Sequence, residues 1–324
     1  MIEYRWATLG CGVIANQLAQ AMQEQGGKLY SVANRTHEKA IAFAQKYGIE
    51  KVYDRIDDVF EDENVDIIYI STPHNTHIEY LRKALNAGKH VLCEKSITLN
   101  AQELEEAVAL AKKNHVILAE AMTIYHMPVY KKLEEIISSG ALGPLKLIQM
   151  NFGSYKEYDM TNRFFSRNLA GGAMLDIGVY ALSFVRWFMT SKPDQIVSQV
   201  QYAPTGVDEQ AGILLKNKED EMATVILSLH AKQPKRGTIA FDKGYIEIYE
   251  YPRGEEAVIT YTADGHRETI KEGSTDLALS YEVLDMEKAV SGKEDSMHLD
   301  YTADVMDMMT QIRKDWGMKY PEEE

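Results

Sequence analysis

A lysine, an aspartate and a tyrosine are the residues of this chain best suited to move a proton at a polar carbon. Glu94-Lys95 closes the apolar segment His90–Cys93. At the carboxyl end of a strand in an open α/β sheet, a lysine faces the ligand crevice. On an ordinary surface the same dipeptide is a solvated ion pair. Asp176 and Tyr180 stand four residues apart in Gly171-Gly172-Ala173-Met174-Leu175-Asp176-Ile177-Gly178-Val179-Tyr180. On an α-helix that spacing puts both on one face. Their neighbours are apolar (Met174, Leu175, Ile177, Val179, Leu182), so the two polar groups must find partners or do chemistry. A buried, hydrogen-bonded Asp–Tyr pair is the other reading. Thr72-Pro73-His74-Asn75-Thr76-His77 follows the β-branched run Val65–Ser71. There Pro73 fixes the backbone, and Thr72, Asn75 and His77 offer polar groups at a strand exit. Asn75 serves equally well as a helix N-cap. His74 and His77 lack a cysteine or carboxylate partner at ligand spacing, so no metal is expected.

Such groups need something to act with. Residues 6–15 supply it, an apolar run meeting Gly10-Cys11-Gly12-Val13-Ile14-Ala15. Gly10 allows a tight turn out of a strand, Gly12 lets a pyrophosphate approach the backbone, and Ala15 lets the next helix pack closely. The N–H groups of Val13 and Ile14, at the positive end of that helix, suit a diphosphate. A glycine-rich turn that binds nothing is the alternative. The second strand of such a unit ends in Asp or Glu when it grips a ribose 2′-hydroxyl. Here it ends Val32-Ala33-Asn34-Arg35. No carboxylate repels a 2′-phosphate, and Arg35 can pair with one, so NADP is expected over NAD. Arg163 and Arg167, ahead of the glycine pair, are weaker candidates for substrate or cofactor contact.

The elements that must position these residues fall into two patterns. Up to residue 122, strand and helix alternate, which specifies a doubly wound parallel α/β sheet of the Rossmann kind. From residue 123 to 324 many strands follow one another between few helices. This implies an α+β domain with a large, mostly antiparallel open sheet, whose strands include Gly212–Lys216 and Thr224–His230, and two closing helices. An open sheet leaves an apolar face to be covered, so a homodimer or homotetramer through that sheet is expected. With 324 residues there is ample core for both domains. A net charge of −14 argues against nucleic acid and anionic membranes as partners. No apolar run is read as a membrane span and no secretory signal is visible. The two cysteines, Cys11 and Cys93, give no disulfide framework, so a cytoplasmic protein is expected.

Taken in order, the motifs at 10–15, 72–77, 94–95, 120–122 (Glu-Ala-Met) and 171–180 resemble those of the Gfo/Idh/MocA oxidoreductases, over residues 2 to about 316. The resemblance implies an NAD(P)-binding Rossmann domain and a C-terminal domain with a large open sheet. It implies that Lys95 binds substrate near the nicotinamide and that Tyr180 acts as acid/base. Tyrosine at 180, where inositol-dehydrogenase-like members carry histidine, is similar to the branch of glucose–fructose oxidoreductase, dimeric dihydrodiol dehydrogenase and NADP-dependent xylose dehydrogenases. The expected reaction is hydride transfer between the nicotinamide and a carbinol or carbonyl carbon of an aldose, polyol or dihydrodiol. Lys95 would lower the phenol's pKa from its usual value near 10, and Asp176 would bind a neighbouring hydroxyl. A non-catalytic NADP-binding regulator and an NAD-dependent glycosidase are the alternatives. Two departures stand out. Ser96 replaces the proline that usually follows the lysine, where a cis bond would cost about 3–4 kcal/mol, so a different loop is expected. Ala170 replaces a glycine, which restricts the backbone there.

Overall fold

In the computed structural model, residues 3–324 are described and the chain forms two compact units. The chain to Met122 makes the first, with β1 (Trp6–Leu9), α1 (Val13–Glu24), β2 (Ser31–Ala33), α2 (His37–Tyr47), β3 (Lys51–Val52), α3 (Asp58–Glu61), β4 (Ile67–Ile70), α4 (His77–Asn86), β5 (His90–Glu94), α5 (Ala101–Asn114) and β6 (Leu118–Ala121). The strands run parallel in the order β3-β2-β1-β4-β5-β6, the doubly wound arrangement. β1 and β4 are buried along their whole length, as strands covered by helices on both faces must be. α1 turns Ala15, Leu18, Ala19 and Met22 into this core, and α5 is capped by Asn100, whose side chain accepts the Glu103 N–H.

The second unit spans Thr123–Thr275 and Asp300–Glu324. It opens with α6 (Pro128–Ser138) and β7 (Leu145–Gly153) and reaches a helix that begins as a π-turn over Met174–Gly178 and continues as α7 (Val179–Phe188). Then come β8 (Gln195–Tyr202), β9 (Asp208–Lys216), β10 (Met222–Ser228), β11 (Arg236–Phe241), β12 (Gly244–Tyr249), β13 (Glu256–Tyr261) and β14 (Arg267–Lys271). The eight strands form one sheet in the order β14-β13-β12-β11-β7-β10-β9-β8, antiparallel except where β10 meets β7. Alternation along the strands is plain. Ile148, Met150, Val225, Leu227, Ile213 and Leu215 are buried, while Leu147, Ile226, Leu214 and Val197 are exposed. Phe184 of α7 packs against Tyr130 and Tyr251 on the buried side.

Two expectations change. The closing helix α8 (Ala278–Val290) was assigned above to the second domain, but Asp276–Leu299 packs with the first unit. Its Leu279, Val283 and Met286 recur every three to four residues and join the cluster of Trp6, Leu18 and Met22, and Glu287 accepts the Trp6 indole N–H at 3.0 Å. The other closing helix, α9 (Leu299–Asp315), lies mostly in the second unit. The second change concerns the absence of long apolar runs. Arg167–Phe188 is 22 residues long and apolar enough to cross a membrane by length and composition. Of its most apolar window 83% is buried, so this segment belongs to the core.

Candidate active site

The first unit gathers its candidate residues at the carboxyl ends of β1, β2, β4 and β5. Gly10 has φ +105, and a Cβ there would lie 2.8 Å from Ser71 Oγ and 2.9 Å from the Ser71 carbonyl oxygen. The turn is thus wedged against the end of β4, and the Gly10 N–H donates to the Ala33 carbonyl at the end of β2. Gly12 is different. Its φ is −73, and a Cβ added there would meet no atom within 4 Å. It begins α1 without a side-chain cap and with no acidic residue in the first turn. The helix N-terminus keeps its positive end for an anion, and Val13 is 79% exposed beside it. These residues fit the pyrophosphate of a dinucleotide. Cys11, where burial raises the thiol pKa to about 11, stays a neutral thiol.

Asn34 anchors the end of β2 by donating to the Thr36 carbonyl. Arg35 is exposed and, among the described residues, makes no ion pair. Thr36 stands at the N-cap of α2 without a side-chain cap bond. The Thr72–His77 segment is bound to the lysine loop through its histidines. His74 Nε2 donates to the Lys95 carbonyl at 3.0 Å. The His77 ring is wholly buried, with Nδ1 3.0 Å from the Ser96 carbonyl and Nε2 2.8 Å from that of Thr72. Burial holds its pKa below the usual value. His77 was expected to touch cofactor; its ring instead joins the two loops from inside. Asn75 is not the N-cap of α4 either. It lies in a 3₁₀ turn over His74–Thr76, and Thr76 takes the cap position. The Lys95–Ser96 bond is cis. Glu94 accepts the Tyr69 hydroxyl, and Glu120 Oε1 accepts the Ile97 N–H at 3.0 Å.

The second unit holds Asp176 and Tyr180. Asp176 lies in the π-turn and Tyr180 in the first turn of α7. The wider turn alters the regular i,i+4 geometry on which a shared face was expected. Asp176 is buried and faces Arg163, whose Nη1 is 3.8 Å from Oδ1. Tyr180 is half-buried, its ring 6.2 Å from that of Phe152. Arg163 is therefore near the chemistry, and its guanidinium also lies over Phe164. Arg167 is engaged elsewhere, with the Lys319 carbonyl and Glu324. Ala170 adopts the left-handed conformation, φ 51 and ψ 48, despite its Cβ. Sequence reasoning missed Asp208, a fully buried carboxylate that accepts the Met174 N–H at 2.6 Å. No motif marks it.

A Rossmann sheet with an open glycine turn, and a second unit carrying aspartate and tyrosine beside a large sheet, define a nicotinamide-dependent oxidoreductase. The chain belongs to the Gfo/Idh/MocA family: residues 4–122 match the oxidoreductase family with an NAD-binding Rossmann fold, and residues 130–247 its C-terminal domain. It is 32% identical over 248 residues to trans-1,2-dihydrobenzene-1,2-diol dehydrogenase of Xenopus tropicalis, covering 75% of this chain and 74% of the relative. The human enzyme of that name is 31% identical, with the same coverage. Among solved structures, aldose-aldose oxidoreductase from Caulobacter crescentus shares the fold with a TM-score of 0.86 at 22% identity, covering 98% of both chains. A 3-ketoreductase from Actinomadura kijaniata, in complex with NADP and TDP-benzene, gives 0.85 at 20% identity, covering 96% of this chain and 97% of that one.

Gly12→Ala tests the cofactor turn. The conformation and the space both accept a methyl group, so the melting temperature should stay within a degree or two. Affinity for NADPH should fall at least about tenfold, or about 1.4 kcal/mol, because the methyl stands where the pyrophosphate would approach. Unchanged affinity by fluorescence titration would mean that no phosphate comes near Gly12.

Proposed function

We propose that this protein interconverts a hydroxyl and a carbonyl on a small polyhydroxylated molecule, an aldose, polyol or dihydrodiol, with NADP as the preferred cofactor. The observation that carries the reading is a half-buried phenol in the first turn of α7, with a buried carboxylate four residues before it, on a helix otherwise packed in an apolar core. Two of the names support the substrate class: a trans-dihydrodiol dehydrogenase among the relatives and an aldose-aldose oxidoreductase among the solved structures. The dinucleotide, when bound, supplies the hydride acceptor or donor. The chain's own task is the proton. In oxidation the phenolate of Tyr180 takes the hydroxyl proton as the carbinol hydrogen leaves with its electron pair, and in reduction the phenol returns it. A phenol is a weak base at neutral pH, and a neighbouring cation would favour its ionised form. Asp176 accepts a hydrogen bond from a neighbouring hydroxyl, which selects substrates with more than one. A panel of aldoses, polyols and trans-dihydrodiols with NADP⁺, followed by the absorbance of the reduced cofactor, tests the reading. No turnover across the panel would overturn it.

Arg35 is the group proposed to hold the 2′-phosphate. It is exposed and uncommitted at the end of β2, with no carboxylate in the Ala33-Asn34-Arg35 turn. Arg35→Ala should weaken NADPH by about ten- to a hundredfold, the value of a charge-assisted contact of about 1.5–3 kcal/mol, and leave NADH nearly unchanged. Wild-type protein that prefers NADH would refute the assignment.

The exposed face of the eight-stranded sheet supports assembly of two copies, or of two such pairs. Val197 pairs with Leu214 across β8 and β9, and Leu147 with Met222 across β7 and β10; Val197 is 68% exposed and Leu147 43%. A sheet face that exposes such apolar pairs calls for a partner. Light scattering should give at least twice the chain mass at micromolar concentration, and Val197→Lys with Leu147→Lys should shift it towards one chain.

The proton-transfer roles are read from single and paired substitutions. Tyr180→Phe should lower kcat by about 10²–10⁴-fold with NADPH affinity and melting temperature nearly unchanged. Lys95→Met should fall steeply too. If both act on one proton, the double variant should be little worse than either single one. Additive losses would mean that they act independently, and near-wild-type kcat in Tyr180→Phe would remove the phenol from the mechanism.

A further inference from the structure

Asp208 begins β9 at a position where regular alternation would turn it outward with Gln210, Gly212 and Leu214. The β8–β9 ladder instead shifts register. Tyr202 pairs with Asp208 and Gln201 with Gln210, so Glu209 is an extra residue in β9. Such a bulge re-aims side chains, and Asp208 is fully buried. Its Oδ2 accepts the Met174 N–H at 2.6 Å, and the Ala173 N–H also points to the carboxyl group. These N–H groups open the helix that carries Asp176 and Tyr180. The other oxygen, Oδ1, is buried without a hydrogen-bond partner. It lies against Gly172, which has φ +121 and where a Cβ would stand 2.1 Å from Oδ1. Only glycine fits beside this carboxyl group.

The far side is built as firmly. The Tyr320 hydroxyl donates to the Gly171 carbonyl at 2.7 Å. Arg313, nearly buried on α9, lies over the Tyr320 ring at 4.8 Å and is paired through both terminal nitrogens with Glu323 at 2.8 and 2.9 Å. The charged and titratable groups facing Asp208 from the packed elements are thus Arg313, which favours its ionised form, and Tyr320, with Glu323 behind Arg313.

We propose that Asp208 is the positioning residue for Asp176 and Tyr180: its carboxylate holds the first N–H groups of their helix and fixes the π-turn that presents both side chains. The role rests on the proposed function of those two residues. Burial outweighs Arg313 and the backbone donors and raises the pKa of Asp208 from the ordinary carboxyl value to about 7. Near neutral pH the charged form, which grips the amides more strongly, therefore exchanges with the neutral one.

Two substitutions and four readouts test this. Asp208→Ala removes the acceptor. Backbone hydrogen exchange over residues 173–180 should quicken at least about tenfold and kcat should fall at least about tenfold, with NADPH affinity unchanged. Asp208→Asn keeps an acceptor of the same size but cannot ionise. Its kcat should match wild type near pH 5.5 and fall behind by about three- to tenfold at pH 8.5, so the wild-type rise through neutral pH disappears. Stability should move the other way. With the native pKa above the unfolded one, wild type binds the extra proton when folded between about pH 4 and 7 and loses stability as pH rises through that window. The melting temperature of Asp208→Asn should therefore gain on wild type up to about pH 7 and hold that gain above it. A variant that is steadier yet slower at pH 8.5 marks a residue kept for function. Wild-type kcat and pH profile in both variants, or unaltered exchange in Asp208→Ala, would overturn the assignment. Absence of turnover in wild type would instead strike the proposed function, leaving the exchange and melting measurements to decide whether Asp208 holds the helix.

Discussion

The first turn of a helix leaves backbone N–H groups that the helix cannot satisfy, and this protein uses that constraint twice, in opposite ways. At Gly12, α1 starts with no side-chain cap and no first-turn acid, facing open space. Its donors are kept for an external anion. At Ala173 and Met174, the helix leading into α7 starts inside the second unit, where water cannot reach it, and Asp208 brings a carboxylate across from β9. The open terminus faces outward and the closed one is filled by the protein's own carboxylate. Each needs glycine, for different reasons. Gly10 avoids Ser71 so that the turn can fold back on β4, and Gly172 avoids the Asp208 carboxyl.

The two sheets follow from how their faces are covered. In the parallel sheet, β1, β2, β4 and β6 are buried at every position, so chemistry is confined to the loops at its carboxyl edge. Those loops are tied to one another by backbone acceptors: Leu9 takes the Ser71 hydroxyl, Lys95 takes His74, and Ser96 and Thr72 flank the His77 ring. These hydrogen bonds, partly or wholly buried, tie the loops together along the sheet edge. In the eight-stranded sheet, helix packs on one face only, and the strands alternate accordingly.

Much of this was legible in the residues. An apolar run, a glycine turn and a helical repeat in immediate succession give strand, turn and helix at 6–24 because local chemistry and tertiary role agree there. What the sequence concealed depends on contacts between distant segments. The apolar repeat of α8 shows that one face is buried but not against what, and its partners Trp6, Leu18 and Met22 lie more than 250 residues earlier. β9 could be seen only from Gly212, because Asp208-Glu209-Gln210 is polar; a bulge buries the first two and defeats the period-two pattern. The π-turn is likewise invisible to a reading that assumes 3.6 residues per turn. Lys95 was reached from its place at a strand exit and Tyr180 from its spacing to Asp176 in an apolar segment, and the order of the motifs then implied their roles.

One group of departures from regular geometry in the second unit gathers around the Asp176–Tyr180 helix, apart from those at Asp220, at Glu250 and in the register of β11 with β7. Ala170 is left-handed, at a cost of roughly 1–2 kcal/mol for a residue with a Cβ. Gly172 has positive φ, Met174–Gly178 is a π-turn, and β9 carries an extra residue opposite Gln201. Each could have been regularised by a small change: glycine at 170, a shorter turn after 172, one residue fewer in β9. Regularising the strand would turn Asp208 outward, and regularising the helix would rotate Tyr180 relative to Asp176. The irregularities therefore form one set, and what they have in common is the orientation of two side chains in an apolar helix. Stability alone gives no reason to keep them together, whereas a fixed placement of a phenol and a carboxylate for proton transfer does.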